Sequence, residues 1–165
     1  MDSNGFTTCL WFDNQAEEAA EYYVSVFPDS RIERVDRFSE AGPEKVTPDE
    51  NGSVVEVQFT VNGQRFSALD GGPLFHFDEA ISFQIMCDSQ EEADRYWNTL
   101  IGDGGQESQC GWLKDKYGLS WQVIPKEALE LMRDPDRAKA ARAMAAMLTM
   151  RRLDVAEMRT AAEAG

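Results

Sequence analysis

Few residues of this chain are of a type that does chemistry. There is one histidine, His76, and there are three widely spaced cysteines, Cys9, Cys87 and Cys110. A histidine acts as a base only where geometry brings it to a substrate proton, and a lone histidine between aromatic residues is more often a surface or packing residue. A nucleophilic cysteine needs a base or a positive field that lowers its pKa. We therefore expect inert thiols, and we keep His76, Cys110 and Glu56 as candidates for a relocated catalytic site.

The cysteine spacing also bears on redox compartment and on structural metals. No CxxC pair is present, which argues against a structural zinc site. An odd number of widely spaced cysteines favours reduced thiols in the cytosol over a disulfide framework. The sequence therefore predicts a cytoplasmic protein.

Charge and hydropathy narrow the classes of partner. The formal net charge is −14 over 165 residues. Nucleic-acid surfaces need basic patches that replace counterions, so we expect no nucleic-acid partner. No apolar stretch approaches the roughly 20 residues that span a bilayer, and the N-terminus shows no signal-peptide pattern. We expect no membrane partner.

The elements that must position these side chains occur twice in the sequence. Residues 6–23 and 81–98 each run from a strand-like segment to an aspartate, Asp13 or Asp88, and then into a Glu-rich helix start. A Gly turn followed by a strand recurs later in both copies. Such a repeat predicts an α+β fold in which two βαβββ modules form curved mixed sheets around a cleft.

The predicted organisation is one domain over residues 1–125 followed by a helical extension over 126–165. The domain consists of module one, at about 5–73, and module two, at about 79–125. The extension is rich in Ala, Met and Arg at helical spacing. Amphipathic Met/Ala helices are more often packing or dimer surfaces than ligand sites.

Local signals mark several boundaries. Two capping-box spacings, Asn14 with Glu17 and Ser89 with Glu92, predict helix starts, as do Asp134-Pro135 and Asp154 with Glu157. The other predicted elements are an edge strand over 31–39, a mobile loop over 40–52, a hairpin across Asn62-Gly63 and a second hairpin across 116–118.

Alternation along the strands decides which side chains point away from the helices. Apolar residues should pack on the helices, and the opposite set should line a cavity. Two related modules that leave amide, hydroxyl and aromatic groups on one face favour a ligand cavity over ordinary half-exposed strands. The candidates are Thr7, Cys9, Trp11, Gln58, Ser67, Ser82, Gln84 and Gln122, with Glu56 and Arg65 as an opposite-charge pair.

Aromatic residues offer a further cavity feature. Trp11, Trp112 and the aromatic residues of 74–77 could form a flat wall that stacks planar ligands. The alternative is that they fill the core and a dimer interface.

Two long stretches carry a family resemblance. They are NGQRFSALDGGPLFHFDEAISFQIMCDSQEEADRYWNTL (62–100) and CGWLKDKYGLSWQVIP (110–125), and the tail from residue 134 adds to them. They resemble the PhnB-like family, also labelled 3-demethylubiquinone-9 3-methyltransferase-like, of the vicinal-oxygen-chelate (glyoxalase/bleomycin-resistance) superfamily. The resemblance implies paired βαβββ modules and a homodimer, with the modules pairing within or between chains.

The resemblance also implies where metal-dependent relatives hold their metal. These positions fall near Gly5–Thr7 and Ala80–Ser82, and at Ser67 and Gln122. None is His, Asp or Glu, the donors that hard or borderline cations prefer. We therefore expect no metal and no cofactor. The methyltransferase label gains no support either, because no Gly-rich strand–turn–helix motif is present.

Three functional hypotheses follow. The first is a metal-independent small-molecule-binding homodimer. The alternative is a superfamily enzyme of lyase, dioxygenase or transferase type, with a non-standard site that uses Glu56, His76 or Cys110. A weaker third is a scaffolding or regulatory protein that uses the C-terminal helices. The sequence names no substrate.

Overall fold

The computed structural model describes residues 5–38 and 53–164, so the predicted loop at 40–52 lies outside the described residues. The chain divides into two compact units, Met1–His76 and Phe77–Gly165. We describe each unit by itself.

The first unit is a βαβββ module. Its four strands are ordered β1-β4-β3-β2, with β1 parallel to β4 and the other neighbours antiparallel. The charged strand predicted at the sheet edge is there, and the Asn62-Gly63 hairpin is confirmed by positive φ angles of 48° and 76°. The elements are β1 (Thr8–Phe12), α1 (Ala16–Val26), β2 (Arg31–Arg37), β3 (Val54–Val61) and β4 (Gln64–Asp70).

Helix α1 covers one face of this sheet. The ring of Tyr23 stacks on Phe59 with centroids 6.5 Å apart, and Phe59 stacks on Phe66 at 5.5 Å. All three side chains are buried. Burial of one such side chain contributes about 1.5–3 kcal/mol, so this face fixes how the strands are oriented.

The start of α1 differs from the prediction. The N-cap is Gln15 without a side-chain hydrogen bond, and Asn14 has φ of 60°. The first turn is held instead by Asp70 at the end of β4, whose Oδ1 accepts a hydrogen bond from the Ala16 N–H at 2.9 Å. A carboxylate distant in sequence therefore satisfies one of the unpaired N–H groups at this helix start, in place of the local side-chain cap that the sequence predicts.

The second unit repeats the module and adds three helices. Its strands are ordered β5-β8-β7-β6, with β5 parallel to β8, so both sheets have the same topology. The α+β class with two mixed sheets is confirmed. The elements are β5 (Phe83–Cys87), α2 (Gln90–Ile101), β6 (Gln106–Glu107), β7 (Trp112–Lys114), β8 (Ser120–Pro125), α3 (Lys126–Met132), α4 (Arg137–Met147) and α5 (Val155–Glu163).

Two of the predicted helix starts in this unit are confirmed and one is displaced. Ser89 caps α2 by accepting from the Glu92 N–H at 3.1 Å. Asp154 caps α5 by accepting from the Glu157 N–H at 3.0 Å. The cap of α4 is Asp136, which lies just beyond the predicted Asp134-Pro135 start.

The β7–β8 hairpin, which was predicted across 116–118, is organised by a buried carboxylate. Asp115 is only 2% exposed. Its Oδ1 accepts from the backbone N–H groups of Tyr117 and Leu119 at 2.9 and 3.1 Å, and its Oδ2 accepts from the Trp121 indole N–H at 2.8 Å. The aspartate thus satisfies three donors around the turn.

The C-terminal extension packs within the second unit. The Gln90 side chain donates to the carbonyl of Leu153 at 2.9 Å and accepts from the Val155 N–H at 3.0 Å, which joins α2 to the segment before α5. Across residues 5–38 and 53–164, none of the helices combines the length and apolar character that a membrane crossing requires. The buried core of the extension consists of Ala128, Met150, Leu153, Val155 and Met158.

Candidate functional site

A polar, uncharged row crosses the first sheet on the face away from α1. Strand register pairs Cys9 with Ser67 and Ser67 with Gln58. Paired residues point to the same side of a sheet and neighbouring residues to opposite sides. Because Phe59, next to Gln58, packs on Tyr23 of α1, this row lies on the opposite face. The row consists of the exposed Cys9 thiol, the buried Ser67 hydroxyl and the half-buried Gln58 amide.

The next row on the same face runs from an aromatic ring to carboxylates. Trp11 pairs with Leu69, Leu69 with Glu56, and Glu56 with Asp36. Asp36 accepts from the Arg34 Nε at 2.7 Å. The Glu56 side chain makes no hydrogen bond or ion pair with any residue of the described ranges. This row therefore has an aromatic end and an acidic end.

Trp11 and Phe75 form what we call the aromatic clamp. The Trp11 Nε1 donates to the Gly72 carbonyl at 2.8 Å, and the Phe75 ring meets the indole edge-on at 4.9 Å between centroids. A Cβ on Gly71 would lie 2.2 Å from the indole, so only glycine allows this loop to approach. Phe75 is 58% exposed and Leu74 is 71% exposed. Because the indole N–H is already used, the clamp presents ring surface.

Thr7 and Arg65 lie apart from the clamp. Thr7 is exposed and precedes β1. Arg65 pairs with Thr60 across the β3–β4 ladder, whereas Glu56 pairs with Leu69. Four residues along a strand span about 13 Å, so Glu56 and Arg65 do not face each other as the predicted opposite-charge pair.

The second sheet carries the equivalent row. Gln84 pairs with Gln122, which pairs with Trp112. The Gln122 Nε2 donates to the Ser82 Oγ at 2.8 Å, and the Gln84 Nε2 donates to the Gln122 Oε1 at 3.3 Å. Both ends of the Gln122 amide are thus engaged in a chain of neutral hydrogen bonds.

The positions where related proteins would hold a metal do not fit one here. Ser67 and Thr7 offer neutral hydroxyls, and the Gln122 amide is already bonded to Ser82 and Gln84. Hard and borderline cations prefer carboxylate or imidazole ligands. Within the described ranges, no group of three or more His, Cys, Asp or Glu side chains is placed to hold a metal ion.

The three cysteines differ in exposure. Cys87 is buried, and burial together with the Glu92 carboxylate raises the pKa of its thiol to about 11, so the thiolate is scarce at neutral pH. Cys9 is exposed and Cys110 is half-buried. His76 is exposed at the end of the first unit. The predicted flat wall already groups the aromatic residues of 74–77 with Trp11, and Phe75 is the one whose ring contacts the indole. The sequence assigns no role to Gly71, and the only hint is the Gly-Gly turn before the aromatic stretch.

Comparison with known proteins agrees with the fold. Residues 4–124 match a family described as 3-demethylubiquinone-9 3-methyltransferase, and the match ends just before α3. The chain is similar to the PhnB protein from Bacillus cereus at 36% identity and a TM-score of 0.63, over 74% of this chain and 99% of that one. Protein PA1353 from Pseudomonas aeruginosa is similar in fold, at 22% identity and a TM-score of 0.56, over 72% and 95% of the two chains. No curated protein matches.

Proposed function

The chain belongs to the 3-demethylubiquinone-9 3-methyltransferase family, and from that premise we propose that it is a metal-independent small-molecule-binding protein that acts as a homodimer. The observation that carries this proposal is the aromatic clamp of Trp11 and Phe75. The clamp stands beside the uncharged row of Cys9, Ser67 and Gln58 on one sheet face. Ligand sites typically combine such apolar walls with a few placed polar groups.

The clamp is suited to a planar ligand. The Trp11 N–H is bonded to the Gly72 carbonyl, so a ligand meets ring surface that needs no polar partner. Aromatic pairs prefer edge-to-face or offset stacking, and a ligand ring can add to the existing pair in either way. Neighbouring Ser67 and Gln58 supply a hydroxyl and an amide that donate and accept. The site therefore favours a flat molecule with hydrogen-bonding substituents.

The family description implies a methyl-donor cofactor. The described residues lack the turn that binds such a cofactor in doubly wound folds. Such folds hold their cofactor on a Gly-rich turn from a strand into a helix. Here β1 leads into α1 through Asp13-Asn14-Gln15, and β5 leads into α2 through Asp88-Ser89. The turns instead carry polar helix-start residues. This supports a binding role and gives no basis for a methyl-transfer step.

We propose the homodimer because the second unit exposes large apolar side chains. Ile81 is 69% exposed and Met86 is 40% exposed. Leu148, which caps the C-terminal end of α4, is 61% exposed. A second copy of the chain that covers these side chains would remove their apolar surface from water. Sedimentation equilibrium should give twice the mass of one chain, and a monomer at micromolar concentration would refute this part of the proposal.

A thermal-shift screen of planar aromatic compounds tests the binding function. Compounds that raise the melting temperature of the wild type should lose that effect in Trp11→Ala and Phe75→Ala. Phe6→Ala is the matched control, because Phe6 is a fully exposed aromatic of the same unit that makes no contact with the clamp in the described structure. Elemental analysis of protein purified without chelator should find no stoichiometric metal. One zinc, iron or manganese per chain would refute metal independence.

A further inference from the structure

The row that contains Trp11 includes Glu56, whose side-chain carboxylate has no hydrogen-bond or ion-pair partner among residues 5–38 and 53–164. Trp11, Leu69 and Glu56 are paired residues of three successive strands, so their side chains share one face. Two strand spacings separate the backbones of Trp11 and Glu56 by about 10 Å. Leu69 lies between them, half-buried and apolar. A ring held against Trp11 with a short charged arm over Leu69 matches this distance.

The charges around Glu56 leave its carboxylate available. Asp36, its neighbour in the row, is already paired with Arg34, whose Nε lies 2.7 Å from the Asp36 Oδ1. Arg65 lies on the same face but about 13 Å along the strands. Within the described ranges, the Glu56 carboxylate has no hydrogen-bond or ion-pair partner. A half-buried carboxylate gains most from a partner that supplies both charge and hydrogen-bond donors.

Two further features, the net charge of the chain and the aromatic clamp, favour a positively charged ligand. The formal net charge of −14 attracts cations and repels anions over long range. The exposed ring surface of the aromatic clamp adds a cation–π component, for which tryptophan is the best aromatic partner.

We propose that the ligand of this face is an aromatic cation, whose planar ring stacks against Trp11 and Phe75 and whose protonated amine binds the Glu56 carboxylate. This inference rests on the proposed binding function and adds the charge class of the ligand.

Isothermal titration with three naphthalene probes of similar size and different charge tests the proposal. The probes are 2-naphthylmethylammonium, 2-naphthalenemethanol and 2-naphthoate, in low-salt buffer at pH 7. The ammonium should bind about fivefold more tightly than the alcohol, as expected for a partly exposed ion pair, and the carboxylate should bind most weakly. The advantage of the ammonium should shrink in high salt because exposed charges are screened.

Variants assign the effect to residues. Glu56→Gln keeps the shape of the side chain and should bring the ammonium to the affinity of the alcohol. Glu56→Lys should reverse the order in favour of 2-naphthoate. Glu21→Gln is the matched control, because it removes one exposed charge from α1 on the other side of the sheet, and it should change nothing. Trp11→Ala should weaken all three probes.

The possible failures are distinct. Equal binding of the ammonium and the alcohol to the wild type, or an unchanged preference in both Glu56 variants, would overturn the charge inference and leave the binding function standing. If none of the three probes binds the wild type, the charge inference falls together with the proposal that the clamp takes naphthalene-sized ligands.

Discussion

Replacement of Asp115 should destabilise the second unit more than any surface substitution. In Asp115→Ala, the backbone N–H groups of Tyr117 and Leu119 and the indole N–H of Trp121 lose their acceptor. Leu119 and Trp121 are themselves buried, so water replaces the carboxylate poorly. A hydrogen bond to a charged group contributes about 1.5–3 kcal/mol, and some relaxation of the turn reduces the sum, so we expect a loss of about 3–5 kcal/mol.

Asp115→Asn separates the roles of the two carboxylate oxygens. The amide oxygen can still accept from the Tyr117 and Leu119 N–H groups, while its NH₂ then opposes the Trp121 N–H. We expect a loss of about 1–2 kcal/mol for this variant. In a Trp121→Phe background the opposing donor is gone, so Asp115→Asn should cost distinctly less there.

Urea unfolding followed by far-UV circular dichroism measures these differences without relying on tryptophan emission. The double-mutant cycle of Asp115→Asn with Trp121→Phe should give a coupling of about 1 kcal/mol. The reasoning is refuted if Asp115→Ala costs under about 1 kcal/mol, which is the scale of a surface change. An additive cycle would refute the assignment of Oδ2 to Trp121.

Three further perturbations follow from other contacts. Burial raises the pKa of Asp70 above its ordinary 3.8, although the Ala16 N–H opposes the shift, so the protonated carboxyl favours folding at low pH and this contribution is lost as the pH rises through the raised pKa. Urea titrations at several pH values should therefore show the wild type losing stability relative to Asp70→Asn as the pH rises through that window. A difference between the two proteins that stays constant with pH would contradict this prediction. Gly71→Ala should disrupt the aromatic clamp, because the new Cβ would lie 2.2 Å from the Trp11 indole. It should therefore lower ligand-induced thermal shifts as Trp11→Ala does. Unchanged thermal shifts would show that ligand binding does not depend on the close contact between Gly71 and the indole. Gln90→Ala should lower the free energy of unfolding by about 1–2 kcal/mol, because it leaves the Leu153 carbonyl and the Val155 N–H without their hydrogen-bond partner. Amide hydrogen exchange near residue 155 should become faster. Unchanged exchange there would show that these two hydrogen bonds do not hold the segment before α5.

Local signals in the sequence were sufficient for elements whose stabilising contacts are close along the chain. The Asn62-Gly63 hairpin and the Ser89 cap of α2 depend on neighbours within a few residues, and both are confirmed. The start of α1 is different, because its first turn depends on Asp70, more than fifty positions away. Asp115 is similar: in the sequence it reads as a polar turn residue between lysines, and only the fold buries it.

For the candidate site, alternation identified the face but not the arrangement on it. Period-two patterning places Trp11 and Glu56 on one side of a sheet, whereas strand register decides that they share a row and that Arg65 lies elsewhere. The edge-on contact of Phe75 depends on how a loop folds back, which no strand pattern specifies. The homodimer, the ligand, the lack of a metal or cofactor, and the cytoplasmic location stay predictions.

The most direct test of metal-independent binding is a titration of 2-naphthylmethylammonium into the full chain before and after dialysis against EDTA. Our account predicts the same affinity in both samples and a loss of at least about tenfold in Trp11→Ala, as expected when a stacking aromatic is removed from a small site. Binding that disappears after chelation, or that is unchanged in Trp11→Ala, would contradict it.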